Sequence, residues 1–183
     1  MNREQLAHVL RAAAQLVHDP DIVVLGSQAI LGSYSEGELP VETMMSMEAD
    51  LAFRDDADDR KSDQVDGLIG EDSQFHATYA YYAQGVSITT ATLPTGWEER
   101  VVPYDRRDAD PSRAVCLDAH DLVLSKLVAG REKDFEFTIS LLRAELVDED
   151  VLMERAGDLP LPGGVVQRVR TAAVRCARRA RSS

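Results

Sequence analysis

Apolar side chains recur at helical spacing near the start of the chain, at Leu6, Val9, Leu10, Ala13, Leu16 and Val17. That spacing predicts an amphipathic helix over residues 3–18, ended by Pro20, which cannot continue it. Residues 22–25 form a short unbroken apolar run, the pattern of a buried strand. Gly26-Ser27 turns the chain, residues 28–31 begin a short helix, and residues 33–46 read as a loop. The apolar run resumes over 49–53, and the two-residue period of a strand puts Glu48 and Asp50 on one face.

An acidic stretch, 54–63, leads to a helix around 65–69, and aromatics crowd a turn-rich segment over 75–82. Residues 86–93 have high β-propensity, Pro94-Thr95-Gly96 is a turn, and 99–104 is a further expected strand. After a short apolar run at 114–117, Asp118 is placed to cap a helix over 119–128, with Gly130 as its C-terminal stop. Residues 132–146 carry Phe135, Ile139, Leu142 and Leu146 as the stripe of a second amphipathic helix, and helices broken by LPLPGG follow from Asp148. The pattern is α+β: a small mixed sheet flanked by helices, with a C-terminal helical region. An α/β core over 1–117 and a helical region over 118–183 packed on it, as one compact unit, are the expected organisation.

The length of 183 residues suffices for a core without a disulfide or metal staple. Cys116 and Cys176 lack metal-ligand spacing and read as buried thiols of a reducing compartment. With no run near the roughly 18 apolar residues of a membrane span, and charges throughout the first nineteen residues, a soluble cytoplasmic protein is expected. The net charge is −12, yet residues 168–183 hold six arginines (168, 170, 175, 178, 179 and 181) and no acid. A strongly acidic body opposes nonspecific nucleic-acid binding. The arginine-rich end is either a solvated helix face or a grip for a phosphate backbone.

Two features carry chemistry only in combination. A strand ending in Gly26-Ser27 and entering a helix offers backbone N–H groups and a hydroxyl to a phosphate, although a simple structural cap explains the pair equally. Glu48 and Asp50 can share a hard divalent ion whose shell is completed by water and substrate phosphates, although alternating acids are common on solvent faces. Lys126 sits on an otherwise apolar helix, and Arg131, Lys133 and Asp134 follow a glycine break. Cations there would stabilise phosphoryl oxygens, with Asp134 orienting Lys126 or Arg131, or acting as a further acid. Helix-surface ion pairs are the plainer alternative. His18, His76 and His120 have no partner at ligand spacing, and Tyr79, Tyr81, Tyr82 and Trp97 are either core residues or stacking surfaces for a base.

"GSQAIL" (26–31) followed by "SMEADLAF" (46–53) resembles the motif of the DNA polymerase β-like nucleotidyltransferases, a Gly-Ser pair followed by two alternating acids. "DLVLSKLVAGREKDFEFTISLL" (121–142) resembles the second motif of the toxin-type members, the abortive-infection and MenT-like nucleotidyltransferases of toxin–antitoxin systems. The resemblance implies catalytic Glu48, Asp50, Lys126 and Asp134, a nucleotide held by Gly26, Ser27, Lys126 and Arg131, and Mg²⁺ on Glu48 and Asp50. It implies NMP transfer from an NTP to an acceptor such as a tRNA 3′ end, held by the arginine-rich tail or by Arg100, Arg106 and Arg107. A cognate antitoxin is the implied protein partner, and Ser46 stands where some relatives are silenced by phosphorylation, which adds negative charge beside the acids. Transfer to an aminoglycoside-like small molecule or a protein, or a degenerate binding module, are the rival readings. The chain departs from the pattern twice. Glu48, one methylene longer, replaces the usual aspartate, and residues 86–93 offer only hydroxyls where many members place a third carboxylate, leaving Asp134 as one alternative source.

Overall fold

The computed structural model describes residues 1–104 and 113–182. Helix α1 (Arg3–Val17) opens with a capping box in which Asn2 and Gln5 each satisfy the other's backbone N–H. It buries Leu6, Val9, Leu10 and Ala13, the predicted stripe. β1 (Ile22–Val24) is wholly buried, as its apolar run requires. A 3₁₀ turn over Ser27–Ala29 then leads into the short helix α2 (Ile30–Ser33). The expected 33–46 loop contains a second 3₁₀ turn, Val41–Met44, before β2 (Glu48–Phe53).

Four expectations for the middle of the chain are corrected. Helix α3 begins at Arg60 and runs to Ile69, and the aromatic segment forms helix α4 (Gln74–Tyr79) rather than turns. The strand expected over 86–93 lies earlier, as β3 (Tyr82–Gly85), while Ile88–Thr90 forms a 3₁₀ turn whose Ser87 cap accepts from the Thr89 N–H. The strand expected over 99–104 is cut to β4 (Val102–Pro103), preceded by a 3₁₀ turn at Trp97–Glu99. β5 (Val115–Cys116) follows as expected. Among the described residues the sheet order is β3-β2-β1-β5-β4. β1 runs antiparallel to β2 and parallel to β5, and β2 runs parallel to β3, with Glu48 opposite Tyr82 and Asp50 opposite Gln84.

Helices α1 and α3 pack together beside β3, and α5 (Ala119–Ala129) contacts α2 and the Ser27–Ala29 turn. Asp118 caps α5 by accepting from the His120 N–H, and Gly130 ends it at φ 67°, both as predicted. α6 (Glu132–Arg143), α7 (Glu149–Arg155) and α8 (Gly163–Arg181) complete the chain, α6 and α7 each packing on α8. Residues of the strands, α5, α6 and α8 share one apolar core, which also takes in Cys116 and Cys176, both free thiols. No helix among the described residues is long and apolar enough to cross a membrane.

An ion cluster locks α7 to α5. Arg155 donates to Asp118 at 2.5 Å and to Asp121 at 3.0 Å, and Arg100 donates to the other oxygen of Asp121 at 2.8 Å. Burial works against ionised Asp118, but the His120 hydrogen bond and the Arg155 charge outweigh it and hold the carboxyl well below its usual range. Asp121 is only 1% exposed. Arg155→Ala leaves Asp118 without its arginine and Asp121 with Arg100 alone, so a loss of about 2 kcal/mol is expected, read by urea denaturation at pH 7. As Asp118 is protonated in acid, the difference from wild type shrinks.

Candidate active site

The cavity at the end of the sheet has a volume of about 330 Å³, and Gly26, Ser27, Ser46, Glu48, Asp50, Lys126, Arg131 and Lys133 all line it. Residues separated by a hundred positions in sequence thus meet because β1 and β2 are neighbours and α5 packs on the turn that follows β1.

Gly26 is required here by space, since its φ of −48° is open to any residue. A Cβ at this position would stand 1.5 Å from Asp50 Oδ2. The main chain after β1 is therefore pressed against the Asp50 carboxyl, and the Leu25 N–H donates to Asp50 O at 3.0 Å. Burial, the neighbouring Glu48 charge and a hydrogen bond to Glu48 push the Asp50 carboxyl up to about 7, against the pull of Lys126 and Lys133. Two acids this close, one of them raised in pKa, form a hard-oxygen donor pair that a divalent cation would relieve. Among the described residues no group of three or more His, Cys, Asp or Glu could hold a metal, and a cation on this pair would need further oxygens from water or substrate. Such a shell suits Mg²⁺, which keeps waters and takes substrate oxygens.

Opposite the acids, Lys126 Nζ donates to Ser27 Oγ at 2.9 Å and lies 3.4 Å from Asp134 Oδ1. It also stands 4.6 Å from the centre of the Phe137 ring. Burial lowers the lysine pKa, and the charges of Asp134 and Asp50 oppose that. Asp134 has no exposed surface, and its Oδ2 accepts from both the main-chain N–H (3.2 Å) and Nε (2.9 Å) of Arg131. Asp134 is absent from the cavity wall, and it sits behind the two cations, gripping both. Of the roles left open for it, orienting Lys126 and Arg131 is the one this geometry supports.

Ser46 borders the cavity and accepts from the Glu48 N–H at 3.2 Å. Its carbonyl accepts from Nε2 of Gln28, a fully buried residue that sequence reading passes over as the start of a helix. Two residues of β3 also belong to the site: Gln84, which the sequence reading passes over, and Tyr82, which it offers only as a core residue or a stacking surface, since it expects the strand four residues later. Gln84 lines the cavity in register with Asp50, and Tyr82 OH donates to Glu48 Oε2 at 3.2 Å. Burial and the Glu48 charge push the Tyr82 phenol up to about 12.

Other candidates lie elsewhere. Tyr79 and Tyr81 join His8 and Phe75 in a ring cluster, with His8 Nδ1 2.7 Å from Tyr81 OH, and Trp97 lies beside Arg54. His76 accepts from the Asp72 N–H, and His120 accepts from the Asp148 N–H. Arg100 is committed to Asp121 and to the carbonyls of Pro94 and Thr95, while Arg106 and Arg107 lie outside the described residues. In the tail, Arg170 donates to Met153 O, Arg175 lies over the Phe135 ring, and Arg179 and Arg181 pair with Glu136 and Glu149. Much of the arginine face thus complements the acidic body.

A mixed sheet, five-stranded among the described residues, within an α+β fold and with two alternating acids facing a glycine–serine turn, is consistent with the framework of a small nucleotidyltransferase. The chain belongs to the family DUF6036, described as a nucleotidyltransferase of unknown function, whose model matches residues 4–163 and so takes in every cavity residue named above. No curated protein and no solved structure matches the chain.

Proposed function

We propose that the chain transfers a nucleoside monophosphate from an NTP to an acceptor hydroxyl at the 3′ end of a tRNA, acting as the toxin of a toxin–antitoxin pair. The observation that carries the transfer is the meeting of Gly26-Ser27, Glu48 with Asp50, and Lys126 with Arg131 around one cavity. Resemblance to toxin-type members supports the tRNA and the antitoxin.

In this reading Glu48 and Asp50 hold Mg²⁺, which when bound supplies positive charge to the phosphate oxygens. The Ser27 hydroxyl and the turn's N–H groups receive the triphosphate. Lys126, Arg131 and Lys133 offset the charge that builds as the acceptor oxygen bonds to the α-phosphorus and pyrophosphate departs. Asp134 is a positioning residue for Lys126 and Arg131. Gln84, in register with Asp50, is no base, and in this reading the acceptor proton passes to water. A phosphate on Ser46 would place about two negative charges beside Glu48 and shut the site.

Lys126→Met is expected to lower transfer roughly 10²–10³-fold, by analogy with the loss of one preorganised charge-stabilising donor, as read by single-turnover kinetics at saturating NTP. The acceptor is tested by offering all four NTPs with Mg²⁺ to total tRNA, a bystander protein mixture and an aminoglycoside. Label on tRNA supports the proposal. The small-molecule reading draws on the net charge of −12, which suits a cationic acceptor, and label on the aminoglycoside alone would replace the tRNA. Growth arrest on expression, relieved by a neighbouring gene product, is the outcome expected of a toxin.

A further inference from the structure

The departure at Glu48 has a structural counterpart on the next strand. β2 and β3 are parallel, and their register sets Tyr82 directly beside Glu48. The phenol donates to Glu48 Oε2 at 3.2 Å, and so engages one of the two carboxylate oxygens. Tyr82 is itself held: its ring lies 4.6 Å from the His76 ring, and His76 Nδ1 accepts from the Asp72 N–H at 3.1 Å. A glutamate has one more rotatable bond than an aspartate, so a free Glu48 would sweep a wider arc than a metal site tolerates. A hydrogen bond from a packed tyrosine removes that freedom.

We propose that Tyr82 is a positioning residue that fixes the Glu48 carboxylate in its metal-binding orientation, so that the longer acid and the tyrosine work as a matched pair. The inference rests on the reading of Glu48 and Asp50 as the metal-binding pair. Residues that orient a metal's ligands typically change affinity 10–100-fold when removed. Tyr82 does not line the cavity, so its effect runs through Glu48 alone.

The test is Mn²⁺ binding to the nucleotide-free protein, followed by electron paramagnetic resonance, for wild type, Tyr82→Phe, Glu48→Asp and the double variant, with Glu48→Ala and Asp50→Ala as controls. Phenylalanine keeps the ring against His76, and thermal unfolding checks that each variant is folded. Tyr82→Phe is expected to weaken Mn²⁺ about tenfold or more. In the Glu48→Asp background, where the shorter acid no longer reaches the phenol, the same change is expected to do less than twofold. Equal affinity of Tyr82→Phe and wild type, with Glu48→Ala clearly weakened, overturns the role of Tyr82 and leaves the carboxylate pair standing. Mn²⁺ affinity indifferent to both Glu48→Ala and Asp50→Ala overturns the pair itself, and this inference with it.

Discussion

Gly26→Ala is expected to cut nucleotide transfer by roughly 10²-fold or more, although the residue contributes no reacting group. The added Cβ would stand 1.5 Å from Asp50 Oδ2 and 2.6 Å from its carboxyl carbon. Something has to move, and there are two ways out. The Asp50 side chain can rotate out of its place beside Glu48, or the turn can retreat and carry Ser27 away from Lys126, to which it is joined at 2.9 Å. Either displacement separates the acid wall of the cavity from the phosphate wall, and a shift near 1 Å at a transfer site costs about two orders of magnitude. Gly26→Ala should remain folded, because φ −48° is open to alanine and the clash is with one partly exposed side chain. The check is single-turnover transfer alongside circular dichroism. The double variant Gly26→Ala/Asp50→Ala, which removes the clash, should regain stability but no activity.

Asp50→Asn is expected to have opposite effects on activity and stability. Transfer should fall roughly 10³-fold, since on the proposed reading Asp50 is one of two carboxylates that hold the metal. The metal-free protein, by contrast, should become more stable at pH 8. The folded Asp50 carboxyl is raised from 3.8 to about 7, mainly by burial and then by Glu48. Between those pH values the unfolded chain has released its proton while the folded chain retains it, so stability falls as pH rises through that window, and the full penalty is present above it. Asparagine carries no such penalty. The gain from Asp50→Asn should be near zero at pH 4 and on the order of 2 kcal/mol at pH 8 without metal. Thermal unfolding at both pH values with chelator present measures it. Saturating Mg²⁺ should narrow the gap by stabilising only the wild type.

The sequence made the outer parts of this site readable for specific reasons. β1 is an unbroken apolar triplet between a proline and a glycine, α1 and α6 have strong stripes, and α5 is a mostly apolar run between an aspartate cap and a glycine stop. Glu48 and Asp50 alternate on a strand, so a shared face follows from the two-residue period alone. β3 was illegible because its sequence, Tyr-Ala-Gln-Gly, has weaker strand propensity than the β-branched run that follows it. Pairing with β2 decided the matter. Ala83 is fully buried there, and at Gly85 a Cβ would meet Ser62 O at 1.9 Å, so α3 closes on the strand only at glycine. Once the strand was misplaced, Tyr82 and Gln84 could not be assigned to the face of the acids. Gln28 gives no periodic signal at all, since its burial follows from the loop that folds over it and is held by its amide.

On the proposed reading this cavity cleaves an NTP between its α- and β-phosphates and hands the α-phosphate, with its nucleoside, to an acceptor. The most direct measurement follows acceptor labelling with NTPs carrying the isotope at either the α- or the γ-position, for wild type and Asp50→Asn, in Mg²⁺ with total tRNA. In wild type, α-label is expected to become attached to RNA and γ-label to be recovered only as pyrophosphate, and Asp50→Asn is expected to do neither. Acceptor labelled from the γ-position, or no transfer from any of the four NTPs to any acceptor offered, would contradict that reading.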